Sequence, residues 1–301
     1  MSKIIRYILV LLIGLLILLP VVKGQTEASK VGSKINVTIK GKFFTSYIFS
    51  EDEKYPFFYP VNGPVSGGSV TSMRNAVYPH HSSLFFGCDR VNGGNYWQEE
   101  LEKGRIISVN AQIEKQGGDT AVITDECIWS RPGALSPIKD TRIYTITAPS
   151  DNMIYIDVEI TMEMLMDVRI RKTNHSLFSA RMAADLAVNN GGTMINAEGA
   201  KGEKETFGVK SPWIDYYGKR GNAIEGLAIL QHPENPWYPS PWFTRDYGFI
   251  SPTPMYWPEN GEEFFFKKGS QLKLRYNVVV HSGTTEEAGI ARIFKKYIIQ
   301  K

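Results

Sequence analysis

The chain has 301 residues, 43% hydrophobic, 22% charged and 12% aromatic, a composition that excludes a disordered or low-complexity protein and supplies a sizeable core. Its 34 basic and 31 acidic side chains give a formal charge of +3, but Lys3, Arg6 and Lys23 lie in the first 24 residues, where no acid occurs, so the remainder carries 31 of each sign. A neutral body has no electrostatic reason to bind nucleic acid, because that affinity rests on neutralising phosphates.

At the start of the chain, Lys3 and Arg6 precede an uncharged run of sixteen residues from Tyr7 to Val22, followed by Lys23 and Gly24. A bilayer-spanning helix needs about 20 apolar residues. The run is shorter than that, and small residues at the −3 and −1 positions place a cut after Gly24, so residues 1–24 read as a signal peptide. The expected location is periplasmic or extracellular. If the segment stays uncut it becomes a membrane anchor, and no other stretch offers membrane contact. Export permits disulfides, yet only Cys88 and Cys127 are present, and their pairing stays open. Paired-cysteine zinc spacings are absent.

Period-two alternation then recurs in chain order: Ile35, Val37 and Ile39; Ile107, Val109, Ala111 and Ile113; Ile154 to Ile160 by twos, continuing to Met162 and Met164; Leu272, Leu274, Tyr276, Val278 and Val280. Each set reads as a half-buried strand. The polar partners of the last set, Lys273, Arg275, Asn277 and His281, are expected on a wet face. Alternation with one wet face belongs to antiparallel sheets, so residues 25–301 are expected to form one all-β domain, a large antiparallel β-sandwich. A short C-terminal helix, opened by the capping box Thr284 to Glu287 and carrying Ile290, Phe294, Tyr297 and Ile298 on one face, is expected to close an edge of it.

Histidine is scarce, with five in the chain, and three occur in unusual settings. His80 and His81 follow Tyr78-Pro79 and precede a run ending in Val91-Asn92-Gly93 and Tyr96-Trp97. Adjacent residues of a strand point to opposite faces, so both rings share a pocket only if the segment turns, as Pro79 allows. His232 stands in Gln231-His232-Pro233-Glu234-Asn235, after Trp213-Ile214-Asp215-Tyr216, and Trp242 precedes Arg245-Asp246-Tyr247-Gly248. Loops dense in aromatic, amide, acidic and arginine side chains suit a sugar, which offers an apolar CH face for stacking and hydroxyls for paired polar contacts. The plain structural alternative is that the aromatics are core and the prolines mark turns.

The run from Tyr59-Pro60 through His80-His81, Val91-Asn92-Gly93 and Tyr96-Trp97, then Ala183 to Leu186, Trp213 to Tyr216, His232 to Asn235, and Trp242 with Arg245 to Gly248, resembles a bacterial family of unknown function often labelled "methane oxygenase PmoA". The resemblance covers roughly residues 40–282. It departs at Phe243, where the family has His, and at Gln231, where Asp is common. The label conflicts with the sequence, because a membrane copper oxygenase needs several spanning helices with ligands inside them. The resemblance implies instead an exported sandwich similar to the galactose-mutarotase-like folds that serve many carbohydrate enzymes.

Three functions stand at this point: a carbohydrate lyase, epimerase or hydrolase, a glycan-binding module, and a metal-dependent oxidoreductase. For the first, His80 or His81 with His175 or His232 serves as acid and base, Asp215 or Glu234 as partner carboxylate, and Arg181 or Arg245 as stabiliser of a developing anion. Asn92, Trp97, Arg181, Tyr216, Glu234, Asn235, Trp242, Arg245 and Tyr247 are the candidate substrate contacts. No cofactor is expected. A divalent metal stays open and would need three His or carboxylate ligands at about 2.0–2.2 Å. The partner is a carbohydrate, and the His80 pair, Asp215-Tyr216, His232 and Trp242 to Arg245 are expected on one concave face.

Overall fold

A computed structural model describes residues 25–98 and 100–299; the expected signal peptide lies outside them. Two nine-stranded sheets stack face to face, and every named strand pairing in them is antiparallel. The first runs, edge to edge, through Trp242–Arg245, Phe249–Pro252, Ser176–Arg181, Leu84–Cys88, Phe57–Val61, Lys42–Ile48, Lys34–Ile39, Thr26–Val31 and Gly117–Gly118. The second runs through Thr193–Asn196, Trp213–Arg220, Ala223–Gln231, Gln271–Ser282, Met153–Met164, Ile138–Ser150, Thr120–Ser130 and Arg105–Ser108, with Gln112–Lys115 also on Thr120–Ser130. The β-sandwich expected from alternation is the observed architecture. Among the described residues no helix is long and apolar enough to cross a membrane.

Strand alternation decides which side chains meet between the sheets. Phe86 of the first sheet meets Trp129 of the second at 6.2 Å between ring centroids, Phe178 stacks on Tyr276 at 5.0 Å, and Tyr47 lies 5.1 Å from Tyr144. Ile154, Ile156, Val158, Ile160, Met162 and Met164 all point into this layer from Met153–Met164. Asp140 and Arg142 do too, and neither side chain is exposed. Arg142 donates from Nε to Asp140 Oδ1 at 2.7 Å and from Nη2 to Oδ2 at 3.2 Å, while Trp129 Nε1 donates to Oδ2 at 2.7 Å. Burying two charges is tolerable only with such pairing. Cys88 and Cys127 are buried free thiols, so no disulfide crosses the core.

Three expectations need correction. Ile107 and Ile113 lie on separate short strands, Arg105–Ser108 and Gln112–Lys115, because the chain leaves the ladder between them and exposes Val109. The C-terminal helix does not close an edge. Its capping box forms, with Thr284 Oγ1 accepting from Glu287 N at 3.3 Å, and the helix breaks at Gly289, whose φ of 70° suits glycine. The second part, Ile290–Tyr297, packs Ile290, Ile293 and Tyr297 on Trp213, Ala228, Leu230 and Val279, the face of the second sheet turned away from the core. Asn277 and His281 are therefore buried instead of wet.

A loop closes the far end. Val65 and Ser66 each donate a backbone N–H to Glu225 Oε1 at 2.9 Å, and the fully buried Glu225 also accepts the Ser66 hydroxyl. A Cβ at Gly63 would come within 2.5 Å of that carboxylate.

Removing one partner of a buried ion pair strands the other. Arg142→Ala should therefore cost about 3–5 kcal/mol, read as a lower urea midpoint; a loss below about 1 kcal/mol would show that Asp140 is reached by water or protonated.

Candidate functional site

The outer face of the first sheet carries a row of polar and aromatic side chains. Phe86, Phe178 and Ala180 point inward, so Phe85, Ser179 and Arg181 point outward. Over that outer face fold residues 71–83 and 95–98. Hydrogen bonding of His81 N to Tyr78 O at 3.2 Å closes a turn with Pro79 at its second position, the position whose fixed φ suits proline. This turn brings both imidazoles together, with centroids 4.4 Å apart and planes at 80°. Arg74 and Ser83 hold positive φ on either side, at 50° and 63°, a conformation that costs non-glycine residues and marks functional segments. Tyr55 fixes the turn from below by donating its hydroxyl to His80 O at 2.7 Å.

The third histidine enters through strand register. Ser176 pairs with Cys88, so the next residues out, His175 and Asp89, face each other, and Asp89 N donates to His175 O at 3.0 Å. Their side chains meet as well, with His175 Nδ1 3.2 Å from Asp89 Oδ2. The carboxylate can only accept, so the tautomer with the proton on Nδ1 suits this contact and leaves Nε2 as the basic nitrogen. The Gln98 amide lies 3.1 Å from the same Nδ1. The His175 ring is 5.6 Å from His80 and 5.8 Å from Trp97. A cavity of about 680 Å³ opens here, lined by His80, Trp97, Gln98, Tyr55 and Ser82 among others.

Beyond His81 the row continues. Tyr78 stacks on His81 at 5.0 Å and on Tyr247 at 4.4 Å, and Phe249 stacks on the other side of His81 at 4.6 Å. The Arg181 guanidinium lies over the Tyr247 and Tyr78 rings at 4.5 and 5.1 Å, a cation–π arrangement. Arg181 is 5% exposed, and its Nε and Nη1 have no hydrogen-bond partner. The buried His81 Nδ1, Asp89 Oδ1 and Trp97 Nε1 also lack one. Buried polar atoms are normally paired, and unpaired ones at Thr26, Thr45 and Asn196 show that this feature is not confined to the row.

The row favours neutral imidazoles. Burial first, and His175 second, pulls His80 from 6.5 down to about 4; burial, then His80, Arg181 and His175, pulls His81 to about 2. Burial also lowers Arg181, though the tyrosines oppose it.

His80, His81, His175, Trp97, Arg181 and Tyr247 thus come together. Asp215 and His232 do not join them. Ile214 and Tyr216 face the core, so Asp215, between them, faces the outer side of the second sheet. There it binds His281 Nε2 at 2.8 Å and accepts from Thr285 Oγ1 at 2.7 Å, closed under the C-terminal helix. His232 lies on the same side, its ring 5.3 Å from Tyr297. Glu234 pairs with Arg275 at 2.9 Å, and Asn235 holds the Arg275 backbone, accepting from its N at 2.7 Å.

The remaining candidates do structural work. Trp242 is fully buried and donates Nε1 to Ser211 O at 2.8 Å. The Tyr216 hydroxyl accepts from Val188 N at 2.9 Å and donates to Asp246 O at 3.0 Å. Arg245 pairs with Glu203 at 2.9 Å over the Phe243 ring. Asn92, at φ 48°, accepts from Arg169 N and donates to Asp167 O, and it lines a neighbouring cavity. Sequence reasoning missed Tyr78 and Asp89, which fall within the histidine-bearing run, and Gln98, which directly follows it. Among the described residues no group of three or more His, Cys, Asp or Glu side chains could hold a metal ion.

A β-sandwich bearing a histidine–aromatic row on one outer face is the class these observations define. The chain belongs to DUF6807, a family of unknown function, whose model matches residues 34–295. No curated protein matches it. Among solved structures, a polysaccharide lyase is similar at 11% identity and a TM-score of 0.32, over 87% of this chain and 33% of the lyase. A galactose mutarotase related enzyme from Lactobacillus acidophilus is similar at 8% identity and a TM-score of 0.25, over 86% of this chain and 98% of that one. The chain therefore spans about a third of the length of that lyase.

The lowered histidines set a pH dependence. The unfolded chain takes up protons near 6.5 while folded His80 and His81 resist until about 4 and 2, so these groups contribute stability above pH 6.5 that is lost as pH falls below it. His281 has the opposite sign: burial opposes its charged form, but Asp215 outweighs this and raises it, so its contribution fades as pH rises. A difference measurement separates the two. The urea-midpoint advantage of wild type over His81→Gln should narrow between pH 7.5 and 5, and an advantage constant with pH would contradict a buried neutral His81.

Proposed function

We propose that this protein is exported and acts on a carbohydrate by histidine acid–base chemistry at the row on the first sheet. The observation that carries this reading is the Asp89–His175 contact at 3.2 Å beside His80, at the edge of a cavity of about 680 Å³. Asp89 orients His175 and supports the imidazolium that forms when Nε2 takes a proton. His80 lines the cavity and is the second proton-transfer group, in edge contact with His175 at 5.6 Å between ring centroids. Burial, then His175, pulls it down to about 4, so it stands neutral and weakly basic at physiological pH, and a proton taken up during turnover is given back readily. Trp97 is fully buried beneath the cavity, packed on Phe85 and His175, so it holds the histidines in place, and Gln98 at the cavity wall is the side chain open to a sugar hydroxyl. Removal of a proton next to a carbonyl or carboxylate, inversion of a sugar carbon and hydrolysis of a glycosidic bond all use such a pair, so lyase, epimerase and hydrolase remain members of the proposed class.

The test is a screen of the purified protein against neutral glycans, keto-sugars and uronates, with His175→Ala and His80→Ala beside wild type. Each variant should keep its fold and lose about 10²–10⁴ in turnover. If wild type binds glycans, turns none over, and both variants bind equally well, the protein is a glycan-binding module instead.

A further inference from the structure

A second cavity adjoins the first. It measures about 610 Å³, and Gln98 and Asp89 connect it to the histidine row: Gln98 lines both cavities, and Asp89, which lines this one, holds His175. Its charged lining is Arg90, Lys103, Arg169 and Arg171 against Asp89 and Glu263. Arg169 is engaged by Glu263 and Asp89 faces His175. Arg90, Lys103 and Arg171 have no carboxylate partner among the described residues. Three unmatched cations around one cavity are a local concentration, because the body as a whole is neutral. At the other end of the row stands Arg181, nine-tenths buried and unpaired. A buried guanidinium without a counter-ion is costly unless a ligand supplies one.

We infer that the substrate is an acidic oligosaccharide, one of whose sugars sits against His80 in the first cavity while its neighbours extend across Gln98 into the basic cavity. The inference rests on the carbohydrate reading above and deepens it. Carboxylate or sulfate groups on the sugars meet Arg90, Lys103 and Arg171, and the Gln98 and Asn95 amides between them serve hydroxyls. Asn95 Oδ1 accepts from the N–H groups of Trp97 and Gln98, both at 3.0 Å, so the bridge between the two cavities is held rigidly. Arg181, behind His81, adds positive potential at the opposite end.

Calorimetric titration with three hexasaccharides tests this: an oligogalacturonate, a chondroitin sulfate fragment and a neutral gluco-oligosaccharide. Wild type should bind at least one acidic probe more tightly than the neutral one, with an advantage that shrinks as salt rises. Which acidic probe wins identifies carboxylate or sulfate as the group recognised. Lys103→Ala with Arg171→Ala removes two exposed cations, each worth about two- to fivefold, and should cost about tenfold against the acidic probe while leaving neutral binding unchanged. Neutral binding equal to acidic binding, or a double variant that binds the acidic probe as wild type does, overturns the inference and leaves the carbohydrate reading standing. Binding of no glycan of either charge overturns both.

Discussion

Consecutive residues of a strand point to opposite faces of its sheet, and around Trp213, Leu230 and Val279 both faces of the second sheet are covered. One face meets the first sheet and the other meets the C-terminal helix. This constraint distributes the polar residues of the molecule. Asp215 and Tyr216 are neighbours in sequence, yet one closes a buried contact with His281 and Thr285 while the other reaches through the core side to bind the turn at Asp246. Over the first sheet, loop residues 71–83 and 95–98 lie beside His80 and His81, and there the histidine row forms. A single architectural asymmetry, helix on one side and loops on the other, separates the protein's structural polar network from its candidate chemistry.

How far the sequence revealed this depends on how local the cause was. Met153–Met164 and Gln271–Ser282 were legible because apolar residues recur at every second position through each, which leaves little else for the chain to do. The segment from Ile107 to Ile113 alternates too, but a strand pattern does not show where the partner stops, and the ladder ends after Ser108. The helix was legible from its capping box, whereas its docking face was not, since Trp213, Leu230 and Val279 come from three separate strands.

The site divides in the same way. His80, His81 and Trp97 stood out by residue type, and Pro79 made the turn readable. Asp89 could not be singled out, because its role comes from a register that pairs Cys88 with Ser176 across 88 positions of chain. Trp242 and Arg245 looked equally chemical in sequence. Burial turned the first into a core residue with a satisfied indole, and Glu203 matched the second. Residue type proposed the candidates, and only long-range pairing sorted them.

Glu225 holds the loop around Gly63 to the second sheet by a carboxylate lodged where any side chain at Gly63 would have to stand. The loop and the sheet can thus vary only in concert. An invariant glycine and an invariant acid at these two positions, found together in an alignment of the family, would look like a catalytic signature. They would record instead the fit of a latch, on the part of the molecule where no proton needs to move.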